Sequence, residues 1–192
     1  MPRTTVTGAY DGGTYAALQR VSHHMAQAPE NVPLETFWRI VADRTILAGG
    51  AIERPIAFAN NDRPGVMMAS AVRTYANRFA VAAGRKVSIF TNNDDGHRTA
   101  RDLVALGVNV VGVIDTRKGS AATGNYPVFA ASQVIDTKGR LGLSQITVRG
   151  PSGTQTLDTD CLAISGGWNP SVHLTCHMNG RPAWREDIAA FV

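Results

Sequence analysis

A strand, a helix and a second strand follow one another in the middle of the chain, and this order constrains the fold most. Lys86–Phe90 is a short apolar segment typical of a buried strand. A helical pattern over Thr99–Leu106 ends at Gly107, a favoured residue after a helix. Val108–Ile114 is a second apolar, β-branched strand. Because the return is short, this is a βαβ unit, which implies parallel pairing and a right-handed crossover.

Four further strands are predicted after this unit. Gln133–Asp136, Ser144–Val148 and Thr154–Leu157 alternate with turn residues and are interpreted as an antiparallel flap. Asp160–Ser165 is an apolar strand that runs into Gly166-Gly167. The combination of a βαβ unit and an antiparallel flap predicts the α/β class with a Rossmann-like small domain.

In the first third of the chain, some segments have the residue pattern of a strand and one has the pattern of a helix. Thr4–Ala9 is β-branched and predicts a strand, closed by a turn at Asp11-Gly12-Gly13. Over Thr14–Gln27 the apolar residues recur at three- and four-residue spacing, which predicts a helix. Thr36–Val41 and Thr45–Ala48 are interpreted as a hairpin.

A further helix, Val66–Phe79, precedes the βαβ unit. Two similar junctions of a strand with glycines, at Ala48-Gly49-Gly50 and Ser165-Gly166-Gly167, flank the unit. We therefore predict a Rossmann-like domain at 84–160, inserted in part of a larger FAD/NAD(P)-binding-type domain. The larger domain takes 1–83 and 161–192, and its beginning is expected to lie upstream of this sequence.

Composition excludes several classes of protein. The 192 residues contain no run approaching the ~20 apolar residues of a membrane span, and the N-terminus has no apolar signal region. The expected compartment is the cytoplasm, with no membrane partner. Cys161 and Cys176 do not make a disulfide framework and are expected to be reduced core thiols. The net charge of +4 comes from arginines spread singly along the chain, so no nucleic-acid partner is expected.

The loop after the first strand of the βαβ unit is the position for a dinucleotide phosphate. A working loop reads Gly-x-Gly-x-x-Gly, whereas this one is Thr91–Gly96 and lacks two of the three glycines. Asp94 and Asp95 would face the diphosphate, and like charges repel by about 4 kcal/mol at 4 Å even at a dielectric of ~20. We interpret the phosphate site as lost, with both carboxylates stabilising the first turn of the helix. Asp115 stands where such folds carry the carboxylate that binds the ribose. We interpret it instead as a solvated residue at the end of its strand.

Other candidate sites are weaker. His173, Cys176 and His177 have side chains that suit zinc, but without a distant fourth ligand they do not make a recognisable metal site. No serine, histidine and aspartate at a catalytic spacing stand out, and no paired carboxylates do. The sequence therefore predicts no metal site and no catalytic residue.

Four longer segments carry a resemblance to a known family. Ile46–Pro55 resembles the strand, glycine and Glu-Arg-Pro segment of flavoproteins with two dinucleotide-binding domains, although Gly49 stands where threonine is usual. Phe58–Met67, Phe90–Gly96 and Ser165–Pro170 are similar to the alpha subunit family of heterotetrameric sarcosine oxidases. The resemblance runs the length of the chain, as expected for an internal fragment of such a subunit.

The resemblance implies an activity for the parent enzyme. That enzyme oxidises sarcosine to glycine with O2, giving H2O2 and either formaldehyde or methylenetetrahydrofolate. The family carries NAD on the alpha subunit, with FAD and FMN in the complex, tetrahydrofolate as a co-substrate, and beta, gamma and delta subunits as partners. The segment is implied to supply part of the NAD-binding region and no catalytic residue, so the isolated fragment is expected to be inactive.

By the same resemblance, Val6 matches a strand position whose backbone meets the adenine end of NAD. Ala48, Gly49 and Gly50 are expected close to the same dinucleotide, whereas the glycine-rich loop and the folate region would lie outside the sequence. Two alternatives remain open. One is a fragment of a related amine or opine oxidase or of a cyanide-forming glycine oxidase, and the other is a stand-alone NAD-binding or subunit-docking module.

Overall fold

The computed structural model describes residues 1–120, 124–188 and 190–192, and the chain divides into two compact units. The first unit comprises residues 1–52 and 169–192, and the second comprises residues 53–168. Since both ends of the chain build the first unit, the second is an insertion within it. No helix in these described ranges is long and apolar enough to cross a membrane.

In the described ranges the strands are many and short, and the helices are few. In chain order the strands are β1 (Thr4–Tyr10), β2 (Thr14–Arg20), β3 (Glu35–Val41), β4 (Ala51–Glu53), β5 (Val66–Met68), β6 (Lys86–Thr91), β7 (Asn109–Asp115), β8 (Val128–Phe129), β9 (Gln133–Lys138), β10 (Gln145–Gly150), β11 (Gly153–Asp158), β12 (Cys161–Ser165), β13 (Trp168–Pro170), β14 (Trp184–Arg185) and β15 (Ala190–Phe191). The helices are α1 (Ala69–Phe79), α2 (Asp94–Ala105) and α3 (His173–Cys176).

The second unit is built on a five-stranded parallel sheet. Its strand order is β5-β12-β6-β7-β8, and each neighbouring pair is parallel. Helix α2 connects β6 to β7, and α1 lies between β5 and β6 in the chain. The predicted βαβ unit with parallel pairing is therefore confirmed.

Two hydrophobic clusters cover the two faces of this sheet. Successive side chains of a strand point to opposite faces, and on β6 Val87 and Ile89 join the cluster that includes residues of α1 and α2. Phe90 joins the other cluster, with Ile146 and Val148 of β10. Helices, parallel sheet and antiparallel sheet thus form three layers, which explains why β6 and β12 are almost continuously buried.

The predicted antiparallel flap is confirmed as a sheet of order β11-β10-β9. On the central strand, Ile146 and Val148 are fully buried while Arg149 is exposed. This alternation is the expected pattern of a sheet with one face on the core and one face in solvent.

Helix α2 begins five residues earlier than predicted. Asn93 has extended backbone and its side chain accepts a hydrogen bond from the Asp95 amide at 3.0 Å, which makes it the N-cap. The polar first turn has no apolar periodicity, so the pattern could not show it. At the other end, Gly107 has a φ of +78°, which confirms the predicted helix end.

The predicted helix Val66–Phe79 is correct only from Ala69 onward. Val66–Met68 forms β5, which pairs in parallel with β12 at the edge of the sheet. Three apolar residues are too short a run to distinguish a strand from a first helical turn. With β5, α1 and β12 all in the second unit, that unit extends beyond 84–160 on both sides.

In the first unit, β1, β2 and β3 form an antiparallel sheet in that order. The strand Thr4–Ala9 and its turn are confirmed, with φ of +66° at both Gly12 and Gly13. The predicted helix Thr14–Gln27 is wrong, because its first half is the central strand β2. Pairing with a strand on each side buries both Ala16 and Ala17, and this long-range effect overrides the local pattern.

The predicted hairpin of Thr36–Val41 with Thr45–Ala48 is wrong in its second strand. Thr36–Val41 lies in β3, but β3 pairs with β2, and residues 44–50 form no strand. Ile46 is 92% exposed, so its apolar character does not reflect burial within this chain. The predicted junction of a strand with Ala48-Gly49-Gly50 is therefore a glycine-containing loop instead.

Candidate cofactor site

The first unit contains a cavity of about 690 Å³. It is lined by parts of β1, β2 and β3, by the segment after β3, and by α3 with its C-terminal end. The lining residues are Val6, Ala9, Tyr15, Ile40, Ala42, Arg44, Thr45, Ile46, Leu47, Ala48, Gly49, Leu174, Thr175 and Met178. The structure thus brings Val6 to the same cavity as Ala48 and Gly49, which follow it by more than forty residues in the sequence.

The sheet presents one of its faces to this cavity. Ala9, Tyr15 and Ile40 lie opposite one another on the three strands. Between Val6 and Gly8 the register shifts by one residue. This bulge places Val6 and Ala9 on the same face, although strict alternation would separate them. The position of Val6 at the cavity therefore depends on an irregularity that the sequence pattern does not show.

The second wall is the loop that includes Ala48 and Gly49. A Cβ atom at Gly49 would lie 3.1 Å from the Ser171 carbonyl oxygen, so the backbone passes close to another segment there. Gly50 is not among the lining residues; its φ is +70° and its carbonyl oxygen accepts a hydrogen bond from the Ser171 amide at 2.9 Å. Gly50 therefore shapes the loop beside the cavity, whereas Ala48 and Gly49 line it.

Helix α3 and the residues after it close the remaining side. The Ala9 amide donates to Nδ1 of His177 at 3.4 Å, a weak bond that links α3 to β1. Cys176 is exposed, contrary to the prediction of a core thiol, whereas Cys161 is buried and burial raises its pKa to about 12. Among the described residues, no group of histidine, cysteine, aspartate and glutamate is arranged to hold a metal ion.

The charge on the cavity lining is positive. Arg44 is the charged residue of the lining, and the other polar side chains there are Tyr15, Thr45 and Thr175. The rest of the lining is apolar, with aliphatic side chains such as Ile40 and Leu174. An apolar wall with one arginine suits a flat or apolar ligand that carries a negative group. The lining offers no pair of side chains for acid–base or nucleophilic chemistry.

A second candidate site lies in the second unit, at the carboxyl ends of β6 and β12. Ligands of open α/β sheets bind at such a position, where the chain order of the strands reverses. Here the Asn93 side-chain amide donates to the Ser165 carbonyl oxygen at 3.0 Å and to Ser165 Oγ at 3.2 Å. The Asn92 amide donates to the Gly166 carbonyl oxygen at 3.4 Å. Internal hydrogen bonds therefore join the two loops across this crevice.

The two carboxylates of the loop also have internal partners. The Trp168 indole donates to Asp95 Oδ2 at 2.6 Å, and Arg117 Nη1 lies 2.8 Å from Asp94 Oδ1. Both carboxylates lie at the helix N-terminus, where a diphosphate would need positive partners. This geometry agrees with the interpretation that the phosphate site of the second unit is lost.

Asp115 is fully buried, so the preferred interpretation of a solvated strand end is wrong. Its carboxylate accepts hydrogen bonds from the Arg117 amide at 2.9 Å and from Arg117 Nη2 at 2.8 Å, and lies 2.9 Å from His97 Nε2. Burial by itself would raise the pKa of Asp115, but hydrogen bonds from Arg117, His97 and Ser120 lower it to about 2. A carboxylate with these partners is not available to a ribose.

Sequence analysis missed His97, which is only 4% exposed. Its Nε2 faces both Asp115 and Ser120 Oγ, the latter at 2.8 Å, while Nδ1 faces the Tyr126 hydroxyl at 3.5 Å. A catalytic serine triad needs the serine and the aspartate on different ring nitrogens. Since both share one nitrogen here, the cluster is a buried polar network and does not activate Ser120. No signal in the sequence distinguished His97 from a surface histidine.

No family model matches this chain. Curated proteins do: it is 44% identical over 192 residues to "Sarcosine oxidase subunit alpha" of Rhizobium meliloti (strain 1021), covering 99% of this chain. It is 40% identical over 207 residues to the protein of the same name from Corynebacterium sp. (strain U-96), covering 100% of this chain. The chain spans 20% and 21% of the length of these two relatives, or about one fifth.

Solved structures resemble the fold at low sequence identity. The L-proline dehydrogenase from P. horikoshii matches with a TM-score of 0.66 and 19% identity, over 98% of this chain and 31% of that one. The T. acidophilum thioredoxin reductase matches with a TM-score of 0.62 and 12% identity, over 95% of this chain and 58% of that one. These matches support the predicted α/β fold. Over its whole length the chain matches a segment of the sarcosine oxidase alpha subunit, so the resemblance predicted from its sequence is confirmed.

Proposed function

We propose that this chain is a segment of a sarcosine oxidase alpha subunit and forms one part of its NAD-binding region. The parent enzyme would oxidise sarcosine to glycine with O2, releasing H2O2 and formaldehyde or methylenetetrahydrofolate. In this proposal the segment contributes cavity walls and no catalytic residue. FAD, FMN, tetrahydrofolate and the beta, gamma and delta subunits belong to the rest of a cytoplasmic complex.

The observation that carries the proposal is the cavity of the first unit. Its lining includes Val6, Ala48 and Gly49, three of the four residues that the family resemblance implied for the dinucleotide. Small residues at 48 and 49 allow a ligand to approach the backbone closely. The open form of the cavity, with many exposed apolar residues, suits a site completed by further protein.

The second unit is proposed to have a structural role. Its crevice is crossed by hydrogen bonds of Asn92 and Asn93, and its loop carboxylates are held by Trp168 and Arg117. A nucleotide bound there would have to break these contacts and approach two carboxylates. NAD binding is therefore assigned to the first unit.

Titration with NAD tests how much of the site this chain holds. We expect the 192-residue chain to bind NAD much more weakly than the complete alpha subunit, because these residues contain no Gly-x-Gly-x-x-Gly loop. Calorimetry on both polypeptides gives the two dissociation constants. Micromolar binding by the chain alone would favour the alternative of a stand-alone NAD-binding module.

Replacing Ala48 by leucine tests the cavity wall. We expect Ala48→Leu in the complete alpha subunit to weaken NAD binding by about tenfold or more. The larger side chain would displace the ligand from the cavity wall, at a cost of about 1–2 kcal/mol. Ala26→Leu is the matched control, because Ala26 is an exposed alanine of the same unit outside the lining. Equal affinity of both variants and the wild type would contradict the assignment of this cavity to NAD.

A further inference from the structure

We infer that Arg44 is the residue of this chain that binds the negatively charged part of the ligand in the cavity of the first unit. The inference rests on the proposed function and names an anion-binding contact for that site. The class of ligand it implies is one with a phosphate or diphosphate next to a flat or apolar group.

Arg44 is placed to act on a ligand and not on the protein. It lies between β3 and Ala48, in a part of the chain without a strand, and is one of the residues that line the cavity. Among the described residues, no hydrogen bond or ion pair holds its guanidinium. An arginine offers a planar fork of donors that matches phosphate oxygens and stays charged at any physiological pH.

The surroundings of Arg44 favour an anion. No carboxylate is among the described residues that line the cavity, so nothing there neutralises the guanidinium. Arg44 is exposed, so its guanidinium is accessible to a ligand that enters the cavity. Tyr15 and Thr45 add hydroxyl groups that can donate to phosphate oxygens.

The crevice of the second unit shows the opposite arrangement. There, Asp94 and Asp95 lie at the position of the phosphates, and the nearby arginine, Arg117, is held by Asp115 and Asp94. The cavity of the first unit and this crevice of the second unit therefore differ in the sign of the charge that they offer to a ligand.

Binding experiments on the complete alpha subunit test this inference. The ligands are NAD and ADP, which carry phosphates, and adenosine, which is neutral. We expect Arg44→Gln to weaken the binding of NAD and ADP by about tenfold or more and to change adenosine binding by less than about twofold. Arg44→Lys should recover part of the lost affinity, because lysine keeps the positive charge but lacks the planar pair of donors of the guanidinium.

Two controls make the outcome decisive. Arg39→Gln removes an exposed arginine of β3 that does not line the cavity, and should leave all three affinities unchanged. Raising the ionic strength should weaken NAD binding in the wild type more than in Arg44→Gln. If Ala48→Leu weakens NAD binding but Arg44→Gln does not, the role of Arg44 is refuted and the proposed function stands. If neither variant changes NAD binding, both are refuted.

Discussion

Replacing Asp115 by asparagine is expected to lower the free energy of unfolding by about 2–3 kcal/mol, the upper range for losing hydrogen bonds to a buried charged group. The carboxylate is fully buried and has Arg117 and His97 as partners. Asparagine keeps the size of the side chain but removes the charge that strengthens the hydrogen bonds from Arg117, whereas Arg117 keeps its contact with Asp94 and is 40% exposed. Urea unfolding of the variant and of the wild type measures the difference.

Asp94→Asn is the matched control for this prediction. Asp94 contacts the same arginine at 2.8 Å, but its side chain is 92% exposed. Exposed ion pairs and charges in the first helical turn contribute about 1 kcal/mol or less. A loss from Asp94→Asn as large as that from Asp115→Asn would show that burial does not decide the strength of this network.

The lowered pKa of Asp115 also predicts how stability depends on pH. Hydrogen bonds lower this pKa from 3.8 to about 2 in the folded chain. A group with a depressed folded pKa stabilises the fold above its unfolded pKa and loses that contribution as the pH falls. We expect about 2 kcal/mol to be lost between about pH 4 and pH 2. The same titration of Asp115→Asn should lack this part of the slope.

The second large effect is expected at Gly96, where valine should destabilise the fold by about 2–3 kcal/mol. A Cβ atom added at Gly96 would lie 2.5 Å from Thr91 Oγ1 and still closer to Thr91 Cβ. These atoms are near the backbone of β6 and cannot turn away, so α2 would have to move from the sheet. Thermal or urea unfolding gives the change.

The control for Gly96 is Gly119→Val. Gly119 is exposed, and nothing lies within 4 Å of an added Cβ atom there. Its replacement should change the free energy of unfolding by less than about 0.5 kcal/mol. Equal stability of the two variants would contradict this explanation. Close packing of α2 against β6 would then not be the reason why the 91–96 loop has a glycine at 96 although it lacks the other two glycines of a phosphate-binding loop.

The second unit could be predicted well from local patterns. A buried strand, a helix and a second buried strand have distinct periodicities, and the residue at the helix end, Gly107, has the positive φ that only glycine adopts easily. The loss of the phosphate site in the 91–96 loop could also be predicted, because the missing glycines and the two carboxylates are properties of adjacent residues.

The first unit was predicted less well. The pattern over Thr14–Gln27 fits a helix, yet β2 is a strand because it pairs on both sides with distant segments. Ile46 is apolar but 92% exposed, so burial in this chain does not explain its type. In these segments the local pattern competes with pairing and contacts that the sequence does not display.

The sequence by itself determined the α/β class, the parallel βαβ unit, the antiparallel flap, the defective phosphate loop and the family resemblance, because each depends on neighbouring residues. The tertiary structure alone decided that Val6 and Ala48 line the same cavity, that Arg44 joins them, and that Asp115 and His97 form a buried network. These arrangements depend on strand register and on a bulge in β1, which bring together residues far apart in the chain.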